Sequence, residues 1–102
     1  MAPAMEVRFG NDSLRRLKTD PDYDGGYAEA IVKVYRRRIR FIEQAPDERD
    51  FYSMNSLNFE RLKGSRDHQY SMRLNDQWRL ILEFAGKAPN KAVMVVGIED
   101  YH

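Results

Sequence analysis

The sequence has no cysteine and only two histidines, His68 and His102. The first absence excludes a disulfide framework and a thiolate metal site. Two histidines are too few for a convincing metal cluster, so neither a metal nor another cofactor is expected. No apolar run approaches the roughly 20 residues that span a bilayer, and no signal peptide is evident. The expectation is a cytoplasmic protein without membrane contact. Charge of one sign is also missing: the formal net charge is +1, so net charge alone says nothing for a polyanionic partner.

What is present fits one domain. The chain has 102 residues, 42% of them hydrophobic, enough for one modest core. Residues 1–102 read as a single domain, with residues 1–5 set aside as an extension. The charge is unevenly distributed. Residues 1–30 hold four cations against six anions, Ile31 to Arg79 hold eleven against seven, and the remainder holds two against three. A positive middle is the asymmetry that a polyanion would use.

Glu6 to Gly10 reads as a short strand with Val7 and Phe9 inward. Asn11, Asp12 or Ser13 can cap a short helix through Leu17. Asp20 to Gly26 is loop by every local signal. Tyr27 to Ala45 is a long helix ended by Pro46. Its apolar stripe is Tyr27, Ile31, Val34, Tyr35, Phe41, Ile42 and Ala45. Arg38 falls within that stripe and must snorkel or pair. Lys33, Arg36, Arg37 and Arg40 form a second stripe at i, i+3, i+4 and i+7. Such a stripe is commonly a solvated face, here with Glu29 and Glu43 placed to pair with Lys33 and Arg40. It also suits phosphate contacts along structured RNA. Asp47 to Asn58 is polar and ill-patterned, with Phe51, Tyr52, Met54 and Leu57 packing back on the core. Ala92 to Ile98 reads as a strand buried on both faces. The order is strand, two helices, three strands. The fold class is α+β: a small, antiparallel-dominated sheet with N-terminal helices packed on one face.

A hairpin dominates the second half. Tyr70, Met72 and Leu74 alternate with Gln69, Ser71 and Arg73, and Trp78, Leu80, Leu82 and Phe84 alternate with Arg79, Ile81 and Glu83. A two-residue turn at Asn75-Asp76 pairs Met72 with Arg79 and mixes cations with apolar side chains on each face. A three-residue loop, Asn75-Asp76-Gln77, pairs Leu74 with Trp78 and Arg73 with Arg79, and makes the apolar face continuous. The register predicted is therefore Arg73 opposite Arg79. Like charges directly opposite are destabilising. Either an anion sits between them, or both reach solvent or pair with Glu83 and Asp67.

Several separate motifs occur in order here: Leu62-Lys63-Gly64, Gln69-Tyr70-Ser71-x-Arg73, Asn75-Asp76-Gln77-Trp78-Arg79 and the final Asp100-Tyr101-His102. Together they resemble the HigB family, toxins of type II toxin–antitoxin pairs within the RelE superfamily of small ribonucleases. The resemblance covers roughly Asn58 to His102; the N-terminal half fits in coarse pattern only. It implies a RelE-like fold and ribosome-dependent cleavage of messenger RNA. It also implies a cognate helix-turn-helix antitoxin of the HigA kind, through which alone operator DNA would be bound.

RNA carries its own nucleophile, the 2′-hydroxyl, so cleavage needs cations and proton-exchanging groups rather than a metal. Lys63, Arg66, Arg73 and Arg79 supply the cations. His102, Tyr101, Asp100 and Glu60 supply proton-handling groups, and histidine can act either way near neutrality. The resemblance gives weight to His102, since a terminal histidine alone is usually frayed chain. Some family members carry a histidine three residues before the lysine, where this chain has Glu60. Either Glu60 takes over as base, or His102 and Tyr101 carry the proton transfers. Two other readings stand beside the nuclease: a ParE-like toxin that inhibits a topoisomerase, and a plain RNA-binding module. Asp100-Tyr101-His102 and the Lys63/Arg73/Arg79 set favour the nuclease.

Overall fold

The computed structural model describes residues 5–86 and 91–100. Strand β1, Glu6–Phe9, leads into helix α1, Asp12–Thr19. Asn11 settles the choice of cap: its side-chain oxygen accepts from the Leu14 backbone N–H at 2.9 Å. Asp12 in the first turn and Arg16 and Lys18 in the last complement the helix dipole. Leu14 and Leu17, three residues apart, turn the same face inward.

Helix α2 spans Glu29–Gln44, slightly shorter than the sequence pattern suggests. Its buried residues are Ile31, Val32, Tyr35, Ile39 and Ile42. Val32 and Ile39 lie outside the expected stripe, while Tyr27, Val34 and Phe41 are only half-buried. The inward arc is wider because α2 packs on both α1 and the sheet. The Tyr35 hydroxyl donates to Leu14 O at 2.8 Å across the α1 contact. Pro46 follows the C-cap Ala45, whose N–H still reaches Phe41 O.

The stretch 47–58, irregular in its sequence pattern, forms helix α3, Arg49–Ser53, and a 3-10 turn, Asn55–Leu57. Phe51 and Leu57 are buried, but Tyr52 and Met54 are exposed rather than packed back. Two-residue strand β2, Glu60–Arg61, precedes the hairpin of β3, Gln69–Arg73, and β4, Trp78–Ala85; β5 is Ala92–Asp100.

The sheet order is β1-β5-β4-β3-β2. All neighbours are antiparallel except the edge strand β1, which runs parallel to β5. The hairpin has the three-residue loop: Leu74 N–H donates to Trp78 O at 2.9 Å, and Arg73 pairs with Arg79. Asn75 builds the loop by accepting from the Gln77 and Trp78 N–H groups. Between β4 and β5 the register shifts by one residue: Leu82 pairs with Val95 but Ile81 with Gly97. The double burial expected of β5 holds for Ala92, Val93 and Val95 only. Met94 and Val96 to Glu99 are half-buried, and Ile98, past the register shift, still packs against the core.

One core joins the helices to the face that carries Met72, Leu74, Leu80, Leu82, Val93 and Val95. The alternation then sends Glu60, Ser71, Arg73, Arg79, Ile81, Glu83 and Glu99 to the opposite, open face. No helix among the described residues is long and apolar enough to cross a membrane.

Candidate active site

The open face assembles its chemistry from pairing alone. Glu60 on β2 lies opposite Ser71 on β3, and Arg73 lies opposite Arg79, which lies opposite Glu99 on β5. Four strands thus place two arginines and two carboxylates in one band.

The two facing arginines differ in kind. Arg73 is half-exposed and forms an ion pair with Asp76 in the hairpin loop. Arg79 is buried, 7% exposed. Its Nε donates to Ser71 Oγ at 2.8 Å; its Nη2 donates to Asn58 O and, at 3.4 Å, to Ser71 O. Glu60 Oε1 stands 3.8 Å from Nη2. The like-charge opposition is therefore relieved by separation. One guanidinium turns toward the loop acid, and the other lies down on the sheet among oxygen acceptors. Neither takes the Glu83 or Asp67 partner considered from sequence.

Beside this pair runs a polar chain. Arg66 grips Glu99 with two bonds, at 3.0 and 2.6 Å, a fork that suits a carboxylate. Its Nε also donates to Gln69 Oε1 at 2.9 Å, and Gln69 Nε2 donates to Glu83 Oε2 at 2.9 Å. His68 Nε2 approaches Glu83 at 3.8 Å. Lys63 precedes the 3-10 turn Gly64–Arg66, is exposed, and makes no side-chain bond to the described residues. Gly64 adopts a φ of 68°, which glycine takes without strain, and this lets the chain turn sharply beside Lys63. Asp100 ends β5 opposite Trp78 and accepts from Gln77 Nε2 at 3.0 Å. Tyr101 and His102 lie outside the described residues.

The structure thus brings Glu60, Arg73, Arg79 and Arg66 to one face, with Asp100 at the hairpin end of β5. Asn58 and Glu99 were not singled out from the sequence, and Gln69 and Ser71 were noted only as parts of the Gln69-Tyr70-Ser71-x-Arg73 motif. Ser71 carried a signal: it is the small polar residue on the Arg73 face of the alternation, flanked by chemistry-bearing neighbours. Asn58 carried none, because its part is played by its backbone.

The basic stripe on α2 divides as well. Lys33, Arg37 and Arg40 are exposed, and with Arg36 they line a shallow groove of about 290 Å³. Lys33 pairs with Glu29 at 3.3 Å, as expected, whereas Glu43 turns to Lys18 at 3.5 Å rather than to Arg40. Arg36 is part-buried and donates to the carbonyls of Leu17, Asp20 and Tyr23 at 2.8, 3.1 and 3.3 Å. Arg38, inside the apolar stripe, donates to Arg73 O at 3.1 Å. Burial first, then Arg37 and Arg73 nearby, hold its pKa below the ordinary arginine value.

Comparison with known proteins bears on this arrangement. Comparison with curated sequences finds no match. Among solved structures, a YoeB/ParE toxin from Agrobacterium tumefaciens superposes with a TM-score of 0.62, covering 96% of this chain and 100% of that one. At 15% identity that likeness carries the fold alone. The family model of the RelE-like toxin of type II toxin–antitoxin system HigB matches residues 7–102, from β1 through the Asp100-Tyr101-His102 motif. With sheet, helices and motifs in agreement over nearly its whole length, the chain belongs to the HigB-like toxins of the RelE-like fold.

Proposed function

We propose that this toxin is a ribosome-dependent messenger-RNA endoribonuclease that works without a metal and stops translation. Its neutralising partner would be a helix-turn-helix antitoxin. RelE-like toxins act in general as ribonucleases, and a type II toxin implies a cognate antitoxin. The fold alone does not choose among toxin activities, so the reading rests on the site. The observation that carries it is the Glu60 carboxylate 3.8 Å from the buried Arg79 guanidinium, on the face that also presents Arg73. That is a proton acceptor beside a fixed cation, which is what 2′-hydroxyl attack requires.

In this scheme Lys63, Arg73 and Arg79 neutralise the scissile phosphate. The 2′-oxygen bonds to phosphorus and the bond to the 5′-oxygen breaks. Glu60 or His102 takes the 2′-hydroxyl proton. His102 with Tyr101 returns a proton to the leaving 5′-oxygen, and Asp100 supports them. The products are a 2′,3′-cyclic phosphate and a 5′-hydroxyl. Lys33, Arg37 and Arg40, with Arg66 nearer the centre, hold ribosomal and messenger phosphates.

The test maps messenger 5′ ends by primer extension after brief induction. Wild type should give discrete new ends. Arg79→Ala should lose about a hundredfold or more in cleavage rate, and His102→Ala roughly a hundred- to ten-thousandfold. Both should still bind the antitoxin. A single 2′-deoxy nucleotide at the cut site should abolish cleavage. Efficient cutting of that substrate removes the mechanism, and full toxicity of His102→Ala moves the proton transfers to Glu60 and Asp100.

A further inference from the structure

Apart from the Tyr35 phenol, Ser71 and Arg79 are the buried polar side chains among the described residues, and they bond to each other. An exposed-face arginine on a strand ordinarily extends toward water over its aliphatic stem. This one is drawn down onto the sheet. Ser71 meets it twice, through Oγ and through its carbonyl. The third acceptor is the carbonyl of Asn58, which has the one positive φ of a non-glycine residue among the described residues, 45°. Asparagine tolerates that left-handed geometry better than most residues. It ends the 3-10 turn after Leu57, with its own N–H bonded to Asn55 O at 3.1 Å, and its carbonyl accepts from Arg79.

Stability alone does not call for this arrangement. The position directly across from Ser71 is Ile81, fully buried on the same face. An apolar pair would fill such a site without the desolvation of a guanidinium. What the oxygen acceptors add is orientation. A guanidinium is a rigid planar fork, so fixing Nε and Nη2 fixes the direction of its remaining N–H groups.

We propose that Ser71 and Asn58 are positioning residues for RNA cleavage: the Ser71 hydroxyl and the left-handed Asn58 carbonyl lock the plane of Arg79 toward the scissile phosphate. The inference rests on Arg79 being the phosphate-neutralising cation. Because the guanidinium is set before substrate arrives, no ordering is left for the transition state, and misplacement by about 1 Å can cost on the order of a hundredfold.

The experiment measures cleavage of a messenger on programmed ribosomes for Ser71→Ala, Ser71→Thr, Asn58→Val, Asn58→Gly and Arg79→Ala. Melting temperature and antitoxin binding are followed in parallel. Ser71→Ala should lower kcat about ten- to a hundredfold with KM nearly unchanged, since ribosome affinity lies elsewhere. Ser71→Thr, which restores the hydroxyl, should recover most of the activity. Asn58→Val, which resists a left-handed backbone, should cost more kcat than Asn58→Gly, which accepts it. That ranking decides the matter if Ser71→Ala fails to fold. Wild-type kcat in Ser71→Ala beside an inactive Arg79→Ala overturns the inference and leaves the role of Arg79 standing. An effect confined to KM or to melting temperature also overturns it. Wild-type kcat in Arg79→Ala overturns both.

Discussion

Arg36 and Arg37 are adjacent in a run of cations, and the i, i+3, i+4, i+7 pattern puts both on one stripe. Arg36 bonds three carbonyls: Leu17 near the C-terminus of α1, and Asp20 and Tyr23 in the loop beyond. It thus satisfies the Leu17 carbonyl, which the helix end leaves without an intrahelical partner, and ties the loop beyond to α2. Arg37 is exposed and makes no bond to the described residues. Arg36→Ala should therefore destabilise the fold by about 1–3 kcal/mol, while Arg37→Ala should change it by less than about 0.5 kcal/mol. Denaturant titration of the two variants checks this; equal midpoints would place Arg36 back on the solvated face. Periodicity could place both arginines on a face, but it could not show that α1 and its loop overlie only one of them. The Arg73–Arg79 register was legible because hairpin pairing is local and burial selects one slip out of two.

Among the elements, the long helix, the first helix and the three long strands were legible from period and caps. Helix α3 was not. It has five residues, only Phe51 of them buried, too few for a period to show. It is fixed instead by remote contacts: Phe51 stacks with Phe84 and touches Phe41 and Phe59, and Glu48 beside it pairs with Lys91. Strand β2 has two residues and exists only through β3. The α1–α2 contact gives a pH-dependent prediction. Tyr35 is fully buried and donates to Leu14 O at 2.8 Å. Burial first, then Tyr27, pushes its phenol above the ordinary value of 10.0. A pKa raised on folding means that the unfolded chain ionises first. The contribution of Tyr35 to stability is present below pH 10.0 and is lost as pH rises above it. Tyr35→Phe should cost about 0.5–1.5 kcal/mol at neutral pH by removing a buried hydrogen bond between the helices. It should also flatten the fall in stability on the alkaline side. Unfolding free energies across that range test both parts, and an unchanged alkaline slope would refute the second.

At the scale of the molecule, the sheet order was the least legible feature. β1 pairs with β5 from opposite ends of the chain, and four residues of strand carry no local mark of which edge they join. Yet that order separates two electrostatic regions: the open-face site on β2 to β5, and the outer cations of α2. A formal net charge of +1 hides the second region completely. Lys33 is partly offset by Glu29, whereas Arg37 and Arg40 have no ion-pair partner among the described residues. If the α2 groove holds ribosomal RNA, those two contribute most of its phosphate attraction. Reversing both, Arg37→Glu with Arg40→Glu, should weaken ribosome co-sedimentation. It should also reduce the salt dependence of binding by roughly one logarithmic unit of slope for each phosphate no longer neutralised. The pair is chosen without Arg36, whose carbonyl bonds would confound binding with folding. Melting temperature should stay at the wild-type value, because neither side chain reaches the core. Cleavage of messenger should fall through KM rather than kcat, since Arg79 and its acceptors lie on the far face of the sheet. Unchanged co-sedimentation at all salt concentrations would make the stripe a solvated face, and ribosome recognition would then have to come from the open face itself.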